Sequence, residues 1–218
     1  MKKLTALLLA LSMIFSVSTV GWATEDLTEP TEAVTEEVIS EPSDDEIVAT
    51  LYLCSNITVW PIVGHSWIYV KNHSSEAIDV GYYNGVESGE GVSVGAFSFS
   101  VWDGWGIYYN LEAYRERNND NYLYVSRDMT RSDLDKLNNA LKSYPNYWGI
   151  IGNCATFSFS MWNAVTGSAY FSLLIPAITH FTVLLMGGKS GEQIMTPVDK
   201  SEIKRQSDGK LIDVKYTD

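Results

Sequence analysis

The chain has 218 residues, of which 27 are acidic and 15 are basic, so its formal net charge at pH 7 is −12. Apolar residues make up 45% of the sequence, and a chain of this length can bury a sizeable hydrophobic core. The acidic balance and the lack of a basic stripe argue against nucleic acid as a partner.

The first 23 residues have the pattern of an export signal. Lys2 and Lys3 precede a mostly apolar run from Leu4 to Val20, and Gly21-Trp22-Ala23 supplies the small residues that precede a cut before Thr24. A membrane anchor is the alternative, but the apolar run is short and a polar segment follows at once. We therefore predict a secreted, extracellular protein that can associate with the cell envelope or contact a membrane peripherally.

Residues 24–46 form a predicted acidic linker. They contain ten acidic residues, no Lys or Arg and no aromatic residue, and Pro30 and Pro42 interrupt them. Such a segment cannot bury enough apolar surface to offset its ordering entropy, so we expect it to be disordered. The remaining residues, 47–218, carry a formal charge of only −4, and we predict that they form one domain.

Strand patterns dominate the first half of this domain. Apolar, β-prone runs predict strands at 47–53, 65–70 and 77–83, and turn residues at 72–75 predict that the last two strands form a hairpin. Further strand segments are expected near 92–101, 107–111, 122–126 and 211–216.

A first helix is predicted after Thr130, which has the character of an N-cap and is followed by Asp133 in the first turn. Three leucines recur on one face of this helix, which Pro145 ends: Leu134, Leu137 and Leu141.

A second helix is predicted from Cys154 to Val165, with Gly167 as its C-terminal stop. Cys154 therefore stands at a predicted helix N-terminus. The apolar stretch 171–186, interrupted by Pro176, predicts a packed helix or an exposed apolar flap rather than a transmembrane span.

Cys154 at this position is suited to nucleophilic catalysis. The thiolate is the reactive form, and a helix N-terminus or a nearby imidazole stabilises it. The Cys154 N–H can also hold the oxyanion of a tetrahedral intermediate. Two alternatives remain open: a structural disulfide with Cys54, the only other cysteine, or an incomplete zinc site without a close-spaced ligand pair. We predict that the chain uses no cofactor and no metal.

The base must come from the three histidines. His65 begins a strand after Gly64, His73 falls in the predicted turn, and His180 lies in the apolar C-terminal stretch. Position alone favours His65 without deciding the question.

Two sequence segments carry a resemblance to a known family. Residues 64–70 read Gly-His-Ser-Trp-Ile-Tyr-Val, and residues 152–157 read Gly-Asn-Cys-Ala-Thr-Phe. These segments resemble the histidine-strand and cysteine-helix motifs of the circularly permuted NlpC/P60 proteins, a papain-like group that includes the lecithin:retinol acyltransferase-like enzymes. In the permuted group the histidine strand precedes the cysteine helix, as it does here. The resemblance covers roughly residues 47–167.

The resemblance implies an α+β fold in which an antiparallel sheet packs against the helix that carries Cys154. It also implies that His65 is the base and that a third polar residue orients the imidazole. Asp79 is our candidate, because a hairpin centred on residue 72 places it opposite His65, whereas a one-residue shift turns it to the other face. Asn153 either supports the oxyanion site or acts only as an N-cap. Tyr147 and Trp148 either line the cleft or pack in the core.

The predicted activity is hydrolysis of an amide or ester through a thioester intermediate. Exported members of the family commonly cut cell-wall peptides, which makes a murein peptide the first expected substrate. Two alternatives are a lipid-directed acyl hydrolase or acyltransferase, and a non-catalytic surface-binding protein with a Cys54–Cys154 disulfide.

Overall fold

The computed structural model of the chain describes residues 45–59, 63–97, 104–115, 122–145, 153–170, 176–190 and 193–215. The predicted export signal and most of the predicted acidic linker lie outside these residues. Tyr147 and Trp148, for which the sequence leaves cleft lining and core packing as alternatives, also lie outside them.

Seven strands form one sheet in which all neighbours are antiparallel. The spatial order is β7-β1-β2-β5-β6-β8-β9. The strands are β1 (Ile47–Val59), β2 (Val63–Asn72), β5 (Gly91–Phe97), β6 (Gly106–Tyr109), β7 (Leu123–Thr130), β8 (Lys204–Ser207) and β9 (Lys210–Asp213). Two short strands, β3 (Ile78–Val80) and β4 (Tyr83–Val86), pair in a separate sheet.

Four helices complete the described structure: α1 (Leu111–Arg115), α2 (Arg131–Ser143), α3 (Cys154–Thr166) and α4 (Pro176–Leu185). A short 3₁₀ turn spans Lys200–Glu202. The fold is therefore α+β with a mostly antiparallel sheet, as the sequence predicts at this level. None of the helices in the described residues is long and apolar enough to cross a membrane.

The start of α2 follows the prediction. The Thr130 side chain accepts a hydrogen bond from the Asp133 N–H at 3.3 Å, which caps the first turn. The three leucines at helical spacing are buried: Leu134, Leu137 and Leu141. The helix ends at Ser143, shortly before Pro145.

The two faces of the main sheet bury different side chains. On one face, helices α2, α3 and α4 contribute to an aliphatic core with alternate residues of the central strands, among them Leu51, Leu53, Ile68 and Val70. The intervening residues lie on the opposite face in an aromatic cluster, which contains Cys54, Trp67, Tyr69, Tyr122, Tyr124 and Met195. This division follows from the two-residue period of a strand.

The predicted hairpin between the second and third strands is wrong. Strand β2 pairs with β1 and β5, whereas β3 pairs with β4. His65 is opposite Asn56 of β1, so Asp79 is not its cross-strand neighbour. The turn after Asn72 is tied down differently: the Asn72 side chain donates to the carbonyls of Glu76 and Val86, which directs the chain away from β2.

Candidate active site

Cys154 is the first residue of α3, as predicted, and is 8% exposed. Asn153 caps this helix, since its Oδ1 accepts hydrogen bonds from the N–H groups of Ala155 and Thr156 at 2.9 and 3.1 Å. The Thr156 hydroxyl in turn accepts from the Asn153 N–H at 2.9 Å, which completes a capping box. The N-cap interpretation of Asn153 is confirmed, and its contribution to an oxyanion site stays a prediction.

Neither Cys54 nor Cys154 forms a disulfide. Cys54 is fully buried in the aromatic cluster on the face of the sheet opposite the helices. Its side chain therefore points away from α3, which begins at Cys154 on the other face. The alternative of a Cys54–Cys154 disulfide is wrong for this structure.

His65 lies near the start of β2, and its imidazole is held between aromatic rings. The ring is stacked on Trp67 with centroids 5.7 Å apart, and the Phe97 ring lies 4.3 Å away. Gly95 makes this position available, because a Cβ there would stand 3.3 Å from His65 Nε2 and from Trp67 Cβ. The imidazole also lies close enough to the Cys154 thiol for the two groups to shift each other's pKa. The structure thus brings together the two residues that the sequence motifs single out.

The sulfur of Cys154 meets an unpaired edge of β2. The paired part of β2 and β5 joins residues 68–71 to residues 91–94, so Ser66 lies beyond it. The His65 N–H points toward β1, where it donates to Asn56 Oδ1 at 3.0 Å. Peptide groups alternate in direction along a strand, so the Ser66 N–H points to the opposite edge, and interaction with this backbone group lowers the pKa of the Cys154 thiol.

The Ser66 side chain supports the same sulfur. Its hydroxyl also lowers the pKa of the Cys154 thiol, and its oxygen accepts a hydrogen bond at 3.0 Å from Ser158 Oγ, one turn along α3. Both serines are fully buried. Because His65 and Ser66 project from opposite faces of β2, only a group at the strand edge can contact both side chains. Cys154 occupies that position.

Glu112 is the carboxylate next to His65. Its Oε1 lies 3.2 Å from His65 Nε2, and the residue is 8% exposed in α1. The angles of this contact do not meet hydrogen-bond geometry, so we attribute its strength mainly to charge. Arg115 of the same helix lies farther away, with Nη1 3.8 Å from the same oxygen. His65 therefore lies between a thiol and a carboxylate.

These contacts shift two pKa values toward an ion pair. Burial alone would lower the pKa of His65, but the charges of Glu112 and Cys154, helped by polar contacts with both side chains, raise it to about 10. Burial alone would raise the pKa of the Cys154 thiol, but the His65 imidazolium and hydrogen bonds from His65 and Ser66 lower it below the ordinary value. Both shifts favour the thiolate–imidazolium pair over the neutral thiol and imidazole.

The structure does not bring Asp79, the predicted third residue, to His65. Asp79 is exposed, its Oδ1 accepts from the Gly85 N–H at 3.0 Å, and its carbonyl accepts from the Asn138 side chain. Glu112 occupies the place next to the imidazole instead. The sequence held one weak signal for Glu112: it is an acidic residue between Leu111 and Ala113, at the end of an apolar run.

The other two histidines have different partners. His73 Nε2 lies 2.8 Å from Thr50 Oγ1, which donates to Asp128 Oδ1. His180 Nδ1 lies 3.2 Å from the Ser55 carbonyl oxygen. Neither histidine contributes to the shifted pKa of the Cys154 thiol. In the described part of the chain, no group of three His, Cys, Asp or Glu side chains is arranged to hold a metal ion.

Comparison with known proteins adds no further assignment. No protein-family model, no curated protein and no solved structure matches the chain.

Proposed function

We propose that this chain is a secreted cysteine hydrolase of the permuted NlpC/P60 type, with a papain-like fold, that cleaves an amide or ester bond. One observation carries the proposal: Cys154, at a helix N-terminus, lies close enough to His65 for each to shift the other's pKa, and His65 Nε2 lies 3.2 Å from the buried carboxylate of Glu112. A thiol, an imidazole and an orienting acid in series are the groups that nucleophilic acyl transfer needs.

In the first half of the proposed reaction, the Cys154 thiolate attacks the substrate carbonyl carbon. The carbonyl oxygen gains the negative charge, and backbone N–H groups at the start of α3, including that of Cys154, can stabilise it. The His65 imidazolium then gives its proton to the leaving amine or alcohol as the carbon–heteroatom bond breaks. This step leaves a thioester on Cys154 and a neutral imidazole.

In the second half, His65 takes a proton from water, and the resulting hydroxide attacks the thioester carbonyl. The carbon–sulfur bond breaks, the acid product leaves, and the thiolate–imidazolium pair is restored. Throughout the cycle Glu112 keeps the imidazole oriented and favours its protonated form. Ser66 stabilises the thiolate through its N–H and hydroxyl between turnovers.

The first substrate class that we propose is a peptide of the bacterial cell wall. This choice rests on the export pattern of residues 1–23 and on the family resemblance, and not on a feature of the described site.

Cleavage of purified cell wall, measured as released peptide, tests this proposal. Cys154→Ala and His65→Ala should abolish release while the circular dichroism spectrum stays unchanged. His73→Ala and His180→Ala are matched controls and should retain most activity, because neither ring contacts the thiol. A fully active Cys154→Ala protein would exclude the thiol mechanism.

A lipid-directed acyl hydrolase is the second candidate. Helix α4 exposes three large apolar side chains, with Phe181 at 49%, Leu184 at 51% and Leu185 at 68% exposure. The same helix contacts β1 through His180 and the Ser55 carbonyl, so it lies near the strands that hold the site. This candidate predicts hydrolysis of a lipid ester that requires Cys154, with no cleavage of cell wall. The rate of lipid hydrolysis should fall in a Leu184→Ser, Leu185→Ser double variant.

A further inference from the structure

Arg115 places an exposed cation next to the proposed catalytic groups. It is the last residue of α1, and its side chain is 42% exposed. The guanidinium carbon lies 5.1 Å from the centroid of the Phe97 ring, and the His65 imidazole centroid lies 4.3 Å from the same ring. Guanidinium and imidazole therefore flank the same phenyl ring. Arg115 Nη1 and His65 Nε2 lie 3.8 and 3.2 Å from the same Glu112 oxygen, so these nitrogens are at most about 7 Å apart, which is roughly two residues of an extended peptide at ~3.3 Å each.

The guanidinium keeps its donors available. Among the described residues its charged neighbour is Glu112, and the 3.8 Å separation is too long for a hydrogen bond. Glu112 already has a closer cation in His65, at 3.2 Å, so Arg115 is not needed to balance it. Contact with the Phe97 ring limits the orientations of the guanidinium while leaving its N–H edges free, and such an edge matches a carboxylate in bidentate fashion.

We propose that Arg115 is a carboxylate-binding subsite, so that the substrate carries a carboxylate within a few residues of the bond that Cys154 attacks. The overall charge makes a local cation useful, because residues 47–218 have a formal charge of −4 and the field of the protein disfavours anions. This inference rests on the proposed thiol chemistry of Cys154 and narrows its substrate class to anionic acyl compounds.

Competitive labelling of Cys154 with iodoacetate and iodoacetamide tests the subsite. Both reagents alkylate the thiolate sulfur with loss of iodide, but only iodoacetate carries a carboxylate. A change in thiol reactivity affects both rate constants equally. The ratio of the two rate constants, measured by peptide mass spectrometry, is therefore independent of that reactivity. Arg115→Gln should lower the iodoacetate-to-iodoacetamide ratio about two- to fivefold, the range of a partly exposed ion pair.

Two control variants separate the subsite from general electrostatics. Arg115→Lys keeps the charge and should retain part of the preference, since an ammonium lacks the bidentate edge. Arg131→Gln removes an equal charge at the start of α2, beside the Ile47 end of β1 and far from His65, and should leave the ratio unchanged.

The outcomes distinguish this inference from the function on which it rests. A ratio that is the same in wild type and Arg115→Gln, with Cys154 still labelled rapidly, overturns the subsite and leaves the thiol mechanism standing. An equal drop in Arg131→Gln also overturns it, because the effect is then one of net charge. If Cys154 resists both reagents near pH 7, the proposed function fails and the subsite fails with it.

Discussion

Replacing Glu112 with Gln should raise the pKa of the Cys154 thiol, although Glu112 supplies none of the reacting atoms. Glu112 Oε1 lies 3.2 Å from His65 Nε2, and the two side chains are only 10% and 18% exposed. Interactions with a charged group in such surroundings typically contribute about 1.5–3 kcal/mol, which corresponds to a change of roughly 10- to 100-fold. The neutral amide does not stabilise the imidazolium, so the pKa of His65 should fall. Because less imidazolium is then present beside Cys154, the pKa of the thiol should rise.

The assay is the rate of Cys154 alkylation by iodoacetamide as a function of pH. Glu112→Gln should move the midpoint of this profile to higher pH and reduce the rate near pH 7 by about 10-fold or more. Asp79→Asn is the matched control, because its side-chain oxygen can still accept from the Gly85 N–H. An unchanged profile in Glu112→Gln, or a larger shift in Asp79→Asn, would refute the assignment of Glu112 as the orienting acid.

Three further changes probe the surroundings of the thiol. Ser66→Ala removes a hydroxyl that lowers the pKa of Cys154, so the alkylation midpoint should move to higher pH; no shift would contradict this role of the hydroxyl. Gly95→Ala puts a Cβ 3.3 Å from His65 Nε2 and Trp67 Cβ. Turnover should therefore fall up to about tenfold, while the melting temperature changes little. Equal activity in this variant would show that the imidazole ring can move freely. The pKa of His65 is raised from 6.5 to about 10, so the imidazolium stabilises the fold fully below pH 6.5, and this contribution is lost as pH rises through about 10. The melting-temperature advantage of wild type over His65→Gln should therefore shrink between pH 7 and about pH 10.5, and a constant difference would contradict the raised pKa.

Local sequence signals predicted the parts of the site that local physics determines. Asn153, Cys154 and Gly167 mark the ends of α3, because an N-cap and a glycine with positive φ satisfy the unpaired groups at helix ends. Gly167 has φ 65°, as such a C-terminal stop requires. The alternating pattern around His65 predicted a strand, which is β2.

Strand pairing could not be read from the same signals. The sequence places β3 directly after β2, but a buried polar residue, Asn72, turns the chain out of the main sheet through side-chain hydrogen bonds. Consequently β5 takes the place beside β2, and the helix that follows β6 brings Glu112 to His65. The acid is 47 positions from the histidine, so only the long-range pairing of strands identifies it. Asp79 failed as a candidate for this reason.

The ultraviolet absorbance of the thiolate tests the central claim most directly, because it reports the charge of Cys154 without any substrate. The difference in absorbance between wild type and Cys154→Ser, followed from acidic to alkaline pH, gives the titration of this one thiol. The ion pair with His65 predicts that the thiolate is already present near pH 7, with a midpoint below the ordinary thiol value, and that His65→Ala moves the midpoint upward. A midpoint at or above the ordinary thiol value of about 8.5, unaffected by His65→Ala, would contradict the account.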